Sequence, residues 1–155
     1  MIPHPKLHFR NKVIVVTGAG GSIGSEICRQ LITYEPAQLW LVARSEIDLF
    51  RIERELHGQA PAGVVRTALG SVTDLRFLDA LFGGYTLPDI VIHAAAHKHV
   101  PICEEHPIEA VLNNVGGTIA LAHSASKFGV GQFIMVSTDK AVKPASVMGA
   151  TKRAC

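Results

Sequence analysis

The most constraining feature of this chain is a glycine-rich turn wedged between an apolar run and a helical pattern. Residues 12–17 (KVIVVT) are almost continuously apolar, as a strand buried on both faces must be. Thr17-Gly18-Ala19-Gly20-Gly21-Ser22-Ile23-Gly24 follows at once, and residues 22–34 then read as a helix that stops before Pro36. In that setting each glycine has a physical task. Gly18 permits the tight turn, Gly21 lets backbone approach a ligand, and Gly24 lets the helix pack closely. The opening turn of the helix, including Ser22 and Ile23, then offers unpaired N–H groups and a partial positive charge to a phosphate.

The same alternation runs on to the last residue. Strands are expected at 38–43 (QLWLVA), 64–69, 89–93 (DIVIH) and 131–137 (GQFIMVS). Helices are expected at 46–57, from Asp74 to a stop at Gly83-Gly84, at 108–128, and from Val147 onward. Successive βα units with loops this short imply an α/β Rossmann-type fold: a doubly wound parallel sheet with right-handed crossovers and helices on both faces. The expected strand order is 3-2-1-4-5, with ligands at the carboxyl ends of the first and fourth strands, where the order reverses. The chain of 155 residues fits one such domain. Its final helix is expected to continue past Cys155, which makes the chain the first part of a larger unit lacking its substrate-binding portion.

Composition narrows the function classes. A net charge of +2 with no Lys/Arg stripe argues against a nucleic-acid partner. Cys28, Cys103 and Cys155 are odd in number and form no CxxC pair, which suits free thiols in a reducing, cytoplasmic setting. The opening Met1-Ile2-Pro3-His4-Pro5 lacks the apolar stretch of a signal peptide, and no apolar run approaches the length of a membrane span. His93, His97, His99 and His106 cluster in sequence. Their place at a strand end and in a loop beside the expected ligand favours no metal.

The end of the second strand bears on the choice of dinucleotide. An acidic residue there accepts hydrogen bonds from a ribose 2′-hydroxyl, but this chain has Ala43, then Arg44 and Ser45. A guanidinium without a carboxylate favours a 2′-phosphate and hence NADP over NAD, unless Arg44 merely stacks on adenine. Ala94, Ala95 and Ala96 leave room for a cofactor, and Lys98 is placed to reach a cofactor or substrate oxygen. Asn114 is expected among the cofactor-binding residues, bracing the backbone of the fourth strand. Ser137-Thr138-Asp139-Lys140 sets an acid and an amine side by side at the end of a central strand.

The stretches VTGAGGSIGSEICRQL, HAAAHKHVPICEEHP, NNVGGT and STDKAVKPASVMGATKRA together resemble the bacterial polysaccharide-biosynthesis UDP-N-acetylglucosamine 4,6-dehydratases, in the extended short-chain dehydrogenase/reductase superfamily. The resemblance runs from about Lys12 to the end. It implies a lyase acting on a UDP-sugar for surface polysaccharide, with hydride leaving sugar C4 and returning to C6 as water is lost. In related dehydratases acting on dTDP-glucose this motif reads Thr-Asp-Glu. By resemblance Lys140 is the base at C5, Asp139 the acid at the C6 hydroxyl, and Thr138 a partner of the C4 hydroxyl. Lys152 binds the nicotinamide ribose and lowers the cost of proton loss at C4.

Two positions depart from the superfamily. Met148 stands where a Tyr-x-x-x-Lys motif has its tyrosine, so another base, Asp139 or water, must serve C4 oxidation, unless the chain is inactive. Ser71, before Val72, replaces an aspartate that commonly meets the adenine amine. The family further implies a homo-oligomer and, for members with methionine at this position, a membrane anchor that puts the enzyme on the cytoplasmic face of the inner membrane. The alternatives are a non-catalytic NAD(P)-binding module and an epimerase of the same superfamily.

Overall fold

The apolar runs become strands whose burial follows their rank in the sheet. In the computed structural model, which describes residues 5–84 and 87–155 with side chains from Leu7, five parallel strands are ordered β3-β2-β1-β4-β5. They are β1 (Val13–Thr17), β2 (Gln38–Ala43), β3 (Val65–Leu69), β4 (Ile90–His93) and β5 (Gln132–Met135). Every residue of β1 and β4 is buried, whereas the outer strands β3 and β5 are partly exposed. Continuous apolar sequence therefore marks the centre of the sheet.

Side chains alternate between two cores. Ile14, Val16, Leu39, Leu41, Ile90 and Ile92 pack beneath α2 (Ser22–Ile32) and α3 (Glu46–Leu56) through Cys28, Leu31, Leu49 and Ile52. Val13, Val15, Trp40, Val42 and Val91 face α4 (Leu75–Gly84) and α7 (Gly117–Lys127) through Leu78, Leu81, Phe82 and Leu121. At the amino ends of the central strands, Asp89 accepts from Lys12 Nζ at 2.9 Å and from the Val13 amide at 2.8 Å. The carboxyl ends are left for the loops that build the site.

The expected order is observed, and the differences lie at element ends. A short helix α1 (Pro5–Phe9) precedes β1, and the signal-peptide reading of residues 1–4 falls outside the described residues. β5 is shorter than expected, because Val136 leaves the ladder after its amide bonds the His93 carbonyl. Helix α4 runs through Gly83 and Gly84 rather than stopping at them. The helix expected at 108–128 is observed as an unbroken run of α6 (Pro107–Val111), a π-helical turn (Leu112–Gly116) and α7, and a separate short helix that was not expected, α5 (Val100–Glu105), precedes it. Pro101 and Pro107 sit in the first turns of α5 and α6, where their missing N–H costs nothing. A 3₁₀ turn (Asp139–Ala141) and α8 (Val147–Ala154) complete the chain. Among the described residues no helix is long and apolar enough to cross a membrane.

Candidate functional site

The glycine turn is built by backbone contact. Gly18 has φ +70°, and a Cβ there would lie 2.6 Å from the Ala95 amide nitrogen. A Cβ on Gly24 would overlap the Gly18 carbonyl oxygen, so α2 starts directly against the turn. The Ala19 amide donates to the Val42 carbonyl at 3.1 Å, tying the turn to β2, and the Gly21 amide donates to Gly18 at 3.0 Å. Gly21 caps α2 without a side-chain hydrogen bond. The first amides of α2 thus keep the donor capacity of an open helix end.

This turn floors a groove of about 280 Å³. Gly18, Gly20, Gly21, Ser22, Ile23 and Gly24 line it from below. Arg44 and Ser45 border it after β2, Ser71 and Val72 after β3, and Ala94, Ala95, Ala96 and Lys98 after β4. Sequence reasoning missed Asp48, His97 and Asn113, which also line it. Asp48 follows from the Ser45 cap, whose hydroxyl accepts the Asp48 amide and opens α3 beside the turn. Lys98 Nζ donates to Ser22 Oγ at 3.1 Å and so stands over the start of α2. An ammonium and a helix N-terminus are both positive, and an anion between them would satisfy both.

Asn114 does not line the groove. It is 1% exposed, with its Oδ1 accepting the His97 amide at 2.7 Å and its Nδ2 donating to the His97 carbonyl at 3.0 Å and to Thr151 Oγ1 at 2.9 Å. It braces the loop after β4 rather than the strand itself, and locks that loop to α8. The π-helical turn makes this possible by burying the neighbouring Asn113 and Asn114 together. A second buried relay crosses the sheet end. Thr118 Oγ1 donates to the Asn114 carbonyl at 2.6 Å, so it accepts from His93 Nε2 at 3.0 Å. His93 Nδ1 then accepts from Thr17 Oγ1 at 2.7 Å. Burial, reinforced by the Lys152 charge, pushes the His93 pKa down to about 4.

The residues expected to carry chemistry stand apart from the groove lining, beyond β5. Thr138 Oγ1 donates to Asp139 Oδ1 at 2.9 Å, and Lys140 Nζ lies 3.7 Å from the same oxygen. The Thr138 hydrogen bond, then the Lys140 charge, hold the Asp139 carboxyl below its ordinary range. Lys152, on α8, donates to the Val136 carbonyl at 2.8 Å, and partial burial lowers its pKa. Met148 is 5% exposed and packs with Cys103 and Ala110. Among the described residues no three His, Cys, Asp or Glu side chains converge as a metal site.

The sequence profile of the family described as "Polysaccharide biosynthesis protein" matches residues 14–155. The chain belongs to that family. The probable polysaccharide biosynthesis protein EpsC of Bacillus subtilis (strain 168) is 46% identical over 146 residues, which cover 94% of this chain and 24% of EpsC. An inverting UDP-N-acetylglucosamine 4,6-dehydratase of Campylobacter jejuni is 36% identical over 147 residues, covering 94% of this chain and 42% of that protein. The X-ray structure of Pen from Bacillus thuringiensis superposes with a TM-score of 0.85 at 29% identity, over 94% of this chain and 43% of Pen. This polysaccharide biosynthesis family member thus spans a quarter to two fifths of the length of its relatives. Its Met148 is a core residue and offers no group that takes a proton.

Proposed function

We propose that this chain is the dinucleotide-binding part of an NAD(P)-dependent nucleotide-sugar 4,6-dehydratase that acts on a UDP-N-acetylglucosamine-type sugar for polysaccharide synthesis in the cytoplasm. The observation that carries the binding half is the open start of α2 with Lys98 Nζ held above it at Ser22. Those amides and the ammonium would take the pyrophosphate, and the alanines after β4 leave the space beside it. Arg44 at the ribose end favours NADP. When bound, the nicotinamide supplies a hydride acceptor and donor for sugar C4 and C6.

The remaining chemistry is proton transfer by the chain's own side chains. Thr138 would orient the C4 hydroxyl. Asp139 is ionised in the free chain, which suits it to receive the C4 hydroxyl proton in place of the missing tyrosine. A sugar laid over the exposed turn would exclude water and raise the Asp139 pKa, so the same proton can pass to the departing C6 hydroxyl. Lys140, once it has given its own proton to solvent, would remove the C5 proton, made acidic by the C4 ketone, and return a proton to C5 as the 6-deoxy product forms. Lys152, fixed on the Val136 carbonyl, would hold positive charge near the oxygen that loses its proton. The UDP-sugar would be held by protein outside this chain, so the chain alone binds dinucleotide without turnover.

Calorimetric titration with NAD and NADP tests the binding half. NADP should bind more tightly, and Ala43→Asp should reverse the order. Equal affinities that ignore the substitution would remove the role given to Arg44. In a longer protein containing this segment, incubation with UDP-N-acetylglucosamine should yield a 4-keto-6-deoxy sugar. Lys140→Ala should abolish solvent exchange at C5 with dinucleotide binding intact, and exchange at the parent rate would rule Lys140 out as the base.

A further inference from the structure

A carboxylate at the rim of the groove has no place in the reading above. Glu109, on α6, lines with Thr73 and Leu112 a shallow hollow that adjoins the groove at Arg44. Its Oε1 lies 3.9 Å from Arg44 Nη1 and 3.4 Å from His97 Nε2. The same guanidinium donates from Nη1 to Asn113 Oδ1 at 3.4 Å and brings Nη2 within 3.2 Å of His97 Nε2. Arg44 is therefore engaged across the rim by three residues of the β4–α7 connection.

Charge decides what this means for a ligand. A ribose 2′-phosphate carries between one and two negative charges, and to be held by Arg44 it competes with Glu109 for the guanidinium. A free 2′-hydroxyl brings no charge and can itself donate to a carboxylate. We infer that Glu109 is a specificity-determining residue: its carboxylate holds Arg44 and opposes a ribose 2′-phosphate, so the pair sets the choice of dinucleotide. The inference rests on the dinucleotide-binding reading of the groove. It predicts that Arg44 alone overstates the preference for NADP.

The test is equilibrium titration of this chain and of Glu109→Gln with NAD, NADP, 5′-AMP and adenosine 2′,5′-bisphosphate. Glu109 is more than half exposed, so the substitution leaves the core untouched. The affinity ratio of NADP to NAD should rise about fivefold in Glu109→Gln, the effect of one unit charge roughly 4 Å away under near-aqueous screening. The bisphosphate-to-AMP ratio should rise in parallel. In an Arg44→Gln background the rise should shrink to less than half, because no guanidinium is left to release. Ratios in Glu109→Gln within about twofold of the parent overturn the inference, as does a rise that is undiminished without Arg44. If the parent chain binds neither dinucleotide, the nucleotide-binding reading itself falls and this inference goes with it.

Discussion

The glycine turn and the Thr138–Lys140 turn both follow carboxyl ends of strands in one sheet, yet they are held in different ways. The first lies between fully buried β1 and β4, with backbone contacts so close that Gly18 and Gly24 admit no Cβ. The second follows the outer strand β5, and the Asp139 and Lys140 side chains are 89% and 57% exposed. Core packing thus preorganises the surface suited to an anion. The acid–amine pair is shaped by a bond from Thr138 to Asp139 and by α8, whose Lys152 donates to the Val136 carbonyl just before it and whose Gly149 packs against the Lys140 carbonyl. Substitutions should therefore separate. Changes at the glycine turn should cost stability, and side-chain changes at the exposed turn should cost little.

Gly24→Ala should break this comparison most clearly if it is wrong. The added Cβ meets the Gly18 backbone, which is fixed by Ala95 and cannot move aside. We expect a loss of about 3 kcal/mol in urea unfolding, the upper range for overpacking. A variant as stable as the parent would mean that the turn is not packed as described.

The His93 relay predicts an effect of similar size with pH. His93 is neutral in the fold with a pKa of about 4, against roughly 6.5 in the unfolded chain. Its depressed value means that its full contribution is present above about pH 6.5 and is lost as pH falls toward 4, when the unfolded state takes up the proton first. At about 1.4 kcal/mol per unit the loss approaches 3 kcal/mol. Unfolding midpoints measured from pH 7 to pH 4 should fall accordingly, and His93→Gln should be less stable at pH 7 with a flatter profile. Equal slopes for the two proteins would exclude His93 as the source.

Asn114→Ala should come next. It leaves the His97 amide and carbonyl and the Thr151 hydroxyl without their partner, for a loss of about 2 kcal/mol. Dinucleotide affinity should fall with it, since the same loop carries Lys98. Unchanged affinity would show that the loop holds its shape without the brace. The smallest effects belong to Asp139→Asn and Lys140→Ala, each within about 0.5 kcal/mol of the parent in thermal or urea unfolding. A larger loss at either would show that the exposed turn supports the fold as well.

Much of this architecture was legible along the chain. The order of the strands, the burial of VIVVT and IVIH and the glycine turn follow from periodicity and turn chemistry, which act over a few residues. The long helix after β4 was read from the sequence within a residue or so of its ends, while the short helix α5 before it was not expected, although Pro101 in its first turn is compatible with it. The π-helical turn, the burial of Met148 against Cys103, and the meeting of Arg44 with Asn113, His97 and Glu109 were not legible. These pairings join residues that lie on separate crossovers, and which loops meet at a sheet end is set only when the strands pair in the order 3-2-1-4-5. Local sequence therefore determined which elements form and where the glycine turn opens a helix end. Tertiary packing decided which charged side chains share the rim, because that depends on distances that no local pattern encodes.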